Sequence, residues 1–312
     1  MKHYLSIKDL GNLSKAVQGA IALKQDPYAF KKLGYGKTIC LLFFNNSLRT
    51  RLSTQKAAQN LGLNVMVMNF GSEGWQLEFG QSVVMNSDKA EHIKEAAKVV
   101  SQYCDLVAIR AFAKLEDQAK DECEEVLKGF AKYSDIPIIN MESSIAHPLQ
   151  AFADAITIEE NKKIVRPKIV LSWAPHPKAL PHAVPNSFVE MMKLQDTEFI
   201  ITNPKGYDLN PKITKGCMIV HNQDKALENA NFVYVKNWSS YSDYGKVLQV
   251  DSDWKMTQEK LQKAQFMHCL PVRRNVVVAD SVLDSDQSLV IEQANNRTFA
   301  AQWVIKKIIE TI

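Results

Sequence analysis

Residues 38–55 read Thr38-Ile-Cys-Leu-Leu-Phe-Phe44 and then Asn45-Asn-Ser-Leu-Arg-Thr-Arg-Leu-Ser-Thr-Gln55, and the change of pattern between the halves decides the fold class. The first half is an unbroken apolar run of strand length, the pattern of a parallel strand buried on both faces. Past Asn45-Asn46 the pattern becomes helical over 48–62, with Leu52, Ala57, Ala58 and Leu61 sharing a face. A strand therefore passes directly into a helix, and Ser47, Arg49, Thr50 and Arg51 crowd the junction. Free backbone N–H groups and the positive end of the helix dipole favour an anion at such a place. Two hydroxyls and two guanidiniums suit it to phosphate or carboxylate. An N-capping serine beside two solvated arginines accounts for the same residues, so the junction alone favours anion binding only modestly.

The same alternation continues along the chain. Strands are expected at 39–44, 64–69, 105–109, 137–141, 168–173, 198–202, 232–235 and 265–267. Helical patterns lie between them at 90–103, 115–133, 148–160, 179–194 and 254–263, and 293–312 is a long final helix. Alternation of this kind implies an α/β fold of parallel sheets with helices on both faces. Asn161-Lys-Lys-Ile-Val-Arg-Pro167 reads as a connector between two such units.

At 312 residues the chain is too long for one small core, and two domains are expected. Hydrophobic content of 46% and charged content of 23% are those of a globular protein in water. The formal charge of +4 is small and its basic residues are scattered, which argues against a nucleic-acid partner and leaves small anions open. Cys40, Cys104, Cys123, Cys217 and Cys269 are odd in number and show no CxxC spacing. A disulfide framework or zinc site is therefore not expected, and a reducing cytoplasm is. Met1-Lys-His-Tyr-Leu-Ser-Ile7 holds no signal-like apolar core and no run reaches membrane-span length, so no membrane partner is expected. No metal-ligand cluster or Rossmann glycine fingerprint is visible, so neither metal nor cofactor is implied.

Polar residues gather at the strand ends, where open parallel sheets bind ligands. One strand runs into Arg110; another ends at Glu142 and leads to His147-Pro-Leu-Gln150. Others lead to His176, to Lys236-Asn-Trp-Ser-Ser240, and to His268-Cys-Leu-Pro-Val-Arg273. Each has a plainer reading: Arg110 and Lys236 as surface charges, His147 as a helix start before Pro148, His176 as part of a rigid loop, Cys269 as a small buried hydrophobe. Their convergence on one edge of two sheets points instead to a cleft for anionic and carbonyl groups.

Ser47-Leu-Arg-Thr-Arg51, His147-Pro-Leu-Gln150 and His268-Cys-Leu-Pro271 resemble, in order and spacing, the three signatures of the aspartate/ornithine carbamoyltransferases. The resemblance covers essentially the whole chain. It implies two doubly wound parallel-sheet α/β domains, 1–145 for carbamoyl phosphate and 146–292 for the acceptor, with the site in the cleft between them. It implies that helix 293–312 packs back on the first domain. It also implies a homotrimer in which a loop carrying Trp75 reaches the neighbour's site. By the same resemblance Ser47, Leu48, Arg49, Thr50 and Arg297, with Trp75, would hold the phosphate. Arg110, His147 and Thr50 would donate to the carbonyl oxygen, and Gln150 with the Cys269–Leu270 backbone would accept from the carbamoyl NH₂. Cys269 is then a positioning group, because the acceptor amine attacks directly.

The acceptor is written elsewhere. His268-Cys-Leu-Pro271 resembles the ornithine branch, yet the Asp-x-x-x-Ser-Met-Gly loop of ordinary ornithine enzymes is replaced by Lys236-Asn-Trp-Ser-Ser-Tyr241. A cation there suits an acylated, uncharged α-nitrogen. Trp75 resembles the donated residue of the acylornithine branch, whose acetyl-specific members carry a glutamate where Ala90 stands. A carboxylate would repel a succinyl carboxylate, so N-succinylornithine is preferred to N-acetylornithine as acceptor. Free ornithine, or a non-catalytic anion-binding protein of the same scaffold, are the remaining alternatives. Glu142, His176, Lys236, Arg273 and Ala90 are the expected acceptor contacts, with Lys236 and Arg273 on carboxylates.

Overall fold

The computed structural model describes residues 1–250 and 253–312. Two parallel sheets carry the architecture. The first has strand order β2-β1-β5-β6, from β1 (Thr38–Phe43), β2 (Asn64–Asn69), β5 (Leu106–Arg110) and β6 (Ile138–Glu142). The second has order β11-β10-β7-β8-β9, from β7 (Lys168–Trp173), β8 (Glu198–Thr202), β9 (Met218–Val220), β10 (Phe232–Lys236) and β11 (Gln265–Met267). Two-residue strands β3 (Leu77–Glu78) and β4 (Glu91–His92) form a separate parallel pair. Each large sheet reverses its direction of winding once, between β1 and β5 in the first and between β7 and β10 in the second. Ligands of doubly wound sheets bind at the carboxyl ends of the strands flanking such a reversal.

The longer helices are α1 (Leu13–Gln25), α2 (Leu48–Asn60), α3 (Ile93–Tyr103), α4 (Gln118–Cys123), α5 (Glu125–Tyr133), α6 (Pro148–Asn161) and α7 (Ala183–Met192). Short turns α8 (Pro211–Thr214), α9 (Gln223–Leu227), α10 (Gln258–Leu261) and α11 (Asp280–Leu283) precede the final α12 (Val290–Ile309). Helix α12 lies against α1, α2 and α6, and one continuous apolar core runs from the first sheet through these helices to the second. Helix α2 begins where Ser47 Oγ accepts from Thr50 N, 3.3 Å away. It ends in a left-handed Gly62 (φ 83°), with Gly62 N bonding to Gln59 O and Leu63 N to Ala58 O. That pair of bonds satisfies two of the orphan carbonyls at the helix end.

Several expected helices are shorter than their periodicity. The 115–133 pattern breaks at Glu124, whose φ of 50° separates α4 from α5. The 90–103 pattern starts at Ile93, because Glu91–His92 pair with β3. The 179–194 helix starts at Ala183: Pro181 pushes its predecessor away from the helical region, leaving residues 179–182 as a loop. The 254–263 pattern keeps only α10. Helix α1, the β3–β4 pair and strand β9 are not among the expected elements. No helix among the described residues is long and apolar enough to cross a membrane.

Candidate active site

The two reversal points face each other across a cavity of about 240 Å³. From the first sheet come Ser47, Arg49 and Thr50 past β1, Arg110 at the end of β5, and Glu142 at the end of β6. His147 and Gln150 enter from the start of α6, and Arg297 from α12. From the second sheet come His176 past β7, Lys236 at the end of β10, and Cys269-Leu270-Pro271 past β11. The β1 and β5 ends are tied together by Asn45, whose Oδ1 accepts from Phe112 N at 2.9 Å.

The site is markedly cationic. Arg49, Arg110, Lys236 and Arg297 line it against one carboxylate among the described residues, Glu142. Arg110 Nη1 donates to Glu142 Oε2 at 2.8 Å, and His147 Nε2 lies 3.6 Å from the same oxygen. Arg297 donates through Nη2 to Thr50 Oγ1 (2.6 Å) and through Nη1 to Gln150 Oε1 (2.8 Å). Nε of Arg49, Arg110 and Arg297 and Nδ1 of His147 are buried without a hydrogen-bond partner among the described residues. Buried donors of this kind are costly unless something accepts from them.

Titration behaviour follows from the same crowding. Burial, then the neighbouring Arg297, Arg110 and Arg49, hold His147 well below the usual imidazole range, so it is neutral. Burial brings Arg297 down to about 10 and also lowers Arg49. Burial pushes the Cys269 thiol up, which keeps it from being a ready thiolate. His268 is likewise held well below its ordinary value, first by burial and then by Lys236. Its Nδ1 accepts from Leu270 N at 2.9 Å, fixing a left-handed Leu270 (φ 56°) at the cavity wall. Conformations of this type persist where the surroundings over-determine them.

On the acceptor side Arg273 Nε donates to His176 Nε2 at 3.1 Å. With Nε2 accepting, the imidazole proton belongs on Nδ1, which faces both Lys178 O at 2.9 Å and Lys178 N at 3.1 Å. Arg273 is exposed and reaches the cavity through His176. Phe112, Leu180, Pro181 and Val184 supply an apolar wall, and the Arg110 guanidinium sits 4.8 Å from the Phe112 ring centroid. These four were missed in the sequence, where apolar residues on a cavity wall look like core; Pro181 was the available signal.

Four expected site residues do not line the cavity of one chain. Leu48 is exposed at the first turn of α2, where its backbone is what it can offer. Arg273 is the second. Trp75 and Ala90 lie on the segment around β3 and β4, with Trp75 57% exposed and its Nε1 donating to Glu91 Oε2 at 2.9 Å. Arg51, one residue beyond Thr50, is not among the residues that line the cavity either.

Residues 2–160 match the family described as aspartate/ornithine carbamoyltransferase, carbamoyl-P binding domain, and residues 182–307 match its Asp/Orn binding domain. The chain belongs to the aspartate/ornithine carbamoyltransferase family. Within this family it is 47% identical to the N-succinylornithine carbamoyltransferase of Bacteroides thetaiotaomicron, over 99% of both chains. It is 35% identical to the N-acetylornithine carbamoyltransferase of Xanthomonas axonopodis pv. citri, over 95% of this chain and 93% of that one. A solved N-acetyl-L-ornithine transcarbamylase with one glutamate replaced by alanine superposes with a TM-score of 0.90 at 33% identity. The match covers 99% of this chain and 100% of that one, which was complexed with carbamyl phosphate and N-succinyl-L-norvaline.

Proposed function

We propose that the chain transfers the carbamoyl group of carbamoyl phosphate to the δ-amine of N2-succinyl-L-ornithine, giving N-succinyl-L-citrulline and phosphate, as a step of arginine biosynthesis. The observation that carries this reading is the set of unpartnered guanidinium donors around Ser47 and Thr50, opposite Lys236 in the cavity wall and Arg273 behind His176. The first set fits a phosphate dianion and the second the carboxylates of an acylated amino acid. Full-length likeness to N-succinylornithine carbamoyltransferases supports the acyl group. So does Ala90, which leaves room for a succinyl carboxylate that a glutamate would repel.

Ser47, Arg49, Thr50 and Arg297, with the first N–H groups of α2, bind the phosphate. Arg110, neutral His147 and Thr50 donate to the carbamoyl oxygen and strengthen as negative charge develops on it; one such donor is worth about 2.7–4 kcal/mol of barrier. Gln150 Oε1 and the Cys269–Leu270 carbonyls accept from the carbamoyl NH₂. Carbamoyl phosphate exchanges with Glu142 for Arg110, which frees that carboxylate to orient the incoming amine. The neutral δ-amine attacks the carbonyl carbon, the C–O bond to phosphate breaks, and one N–H proton leaves with the phosphate. Trp75 of a neighbouring copy closes the site, so the working unit is a trimer.

A citrulline colour assay with carbamoyl phosphate and, in turn, ornithine, N-acetylornithine and N-succinylornithine tests the reading. Turnover is expected with N-succinylornithine at a kcat/KM at least about tenfold above the others, a gap of about 1.4 kcal/mol. Preference for N-acetylornithine would overturn the acyl assignment, and no product with any acceptor would overturn the enzyme.

A further inference from the structure

Asp154 lies on α6 one turn beyond Gln150, fully buried and outside the cavity lining. Its Oδ1 accepts from Gln150 Nε2 at 2.7 Å and from Gln293 Nε2 at 2.6 Å. Gln293 turns its own Oε1 to His268 N (3.0 Å), at the head of the His268-Cys-Leu270 segment. Gln150 turns its Oε1 to Arg297, which reaches Thr50. A chain of six buried polar residues thus runs from α2 through α12 and α6 to the end of β11, with Asp154 at its centre.

The chemistry of the central group is what matters. An amide can present either its NH₂ or its C=O, whereas a carboxylate oxygen can only accept. Among the described residues no cation is bonded to Asp154, and its partners are two neutral amides. It holds both NH₂ groups inward, in agreement with Arg297 and the His268 N–H, which donate to the two C=O groups at their outer ends. Burial holds its carboxyl at about 7, and in either protonation state Oδ1 remains the acceptor. Any proton sits on Oδ2, on the side of the Tyr234 phenol, which lies close without a well-formed hydrogen bond.

We infer that Asp154 is a positioning residue that sets the polarity of the Gln150 amide, so that the site offers an acceptor, rather than a donor, to the carbamoyl NH₂. Through Gln293 the same carboxylate registers the Cys269–Leu270 carbonyls for the same NH₂. The inference rests on the carbamoyl phosphate reading above. Inorganic phosphate has no NH₂ and meets the amide only through Arg297, so it should sense the change less than carbamoyl phosphate does.

The test is the ratio of affinities for carbamoyl phosphate and inorganic phosphate, measured by calorimetry on the full chain. Asp154→Leu, near-isosteric but without an acceptor, is expected to lower that ratio about tenfold, the effect of one misdirected hydrogen bond. Asp154→Asn keeps one carbonyl oxygen for both glutamines and is expected to hold the ratio within about threefold. An unchanged ratio in Asp154→Leu, whether both affinities persist or both fall together, overturns the inference. Should that variant not fold, a tenfold drop in Asp154→Asn overturns it and a retained ratio supports it. Wild-type chain that binds phosphate but not carbamoyl phosphate overturns the functional reading as well. An active wild type with an unmoved ratio overturns only the role of Asp154.

Discussion

His147 sits where three guanidiniums converge, and that placement decides its protonation. Buried and facing Arg297, Arg110 and Arg49, it stays neutral well below pH 6.5 in the folded chain. The unfolded chain takes up that proton once the pH falls below about 6.5, so in this window the unfolded state binds more protons and stability rises with pH. Each pH unit below it costs about 1.4 kcal/mol for such a group, until the folded state titrates too. Asp154 works in the opposite sense. Its folded value of about 7, raised by burial, means that the folded state holds the extra proton between the unfolded carboxylate range and neutrality. Comparison with a variant separates the two. Asp154 offsets roughly one such histidine, but His268 is buried neutral in the same way, so thermal midpoints should still fall for wild type between pH 6.5 and 5, and those of His147→Gln should fall distinctly less. Parallel curves would show that His147 is charged in the folded chain.

At the scale of elements, the site depends on how closely α12 packs, because Arg297 arrives on it. Gly19 of α1 marks the tightest approach: a Cβ there would collide with the Trp303 indole at Nε1 and Cδ1. Trp303 is itself held edge-on to Phe152 of α6, with centroids 5.6 Å apart and planes at 82°. Gly19→Ala gains about 1 kcal/mol of helix propensity but overpacks by about 1–3 kcal/mol, so a net loss of up to about 2 kcal/mol is expected. A lower urea midpoint with unchanged kcat would bear this out, and a higher midpoint would mean that the indole can turn aside. This same helix shows what a sequence can and cannot carry. Strand ends such as Arg110, Glu142 and Lys236 were legible because a polar residue closing an apolar run stands out. Helix α1 was not, since its alanines and Gly19 dilute the apolar stripe and its partner Trp303 lies at the far end of the chain. The break at Glu124 hid because backbone sign leaves no mark on periodicity. Asp154 and Gln293 read as ordinary helix polarity, because what distinguishes them is a partner on another helix.

For the whole molecule, the segment around β3 and β4 poses the remaining question of assembly. Trp75 is 57% exposed and Val84 77%, with Val83 and Met85 beside it also open. Apolar groups gathered in this way mark contact surfaces. In the trimer proposed above, Trp75 of one copy closes the cavity that holds Arg110 of the next. Arg110→Ala and Trp75→Ala should then each be nearly inactive as pure preparations, through the loss of different halves of one site. Mixed and reassembled in equal amounts, they should recover about a quarter of wild-type activity, the share of randomly formed sites that receive native Arg110 from the host and native Trp75 from its neighbour. The recovery should vanish when the two proteins are combined without exchange of subunits. A mixture that stays as inactive as its components after exchange would mean that each chain completes its own site. Trp75 would then have to fold back across its own cleft, breaking the Glu91 bond that now holds it.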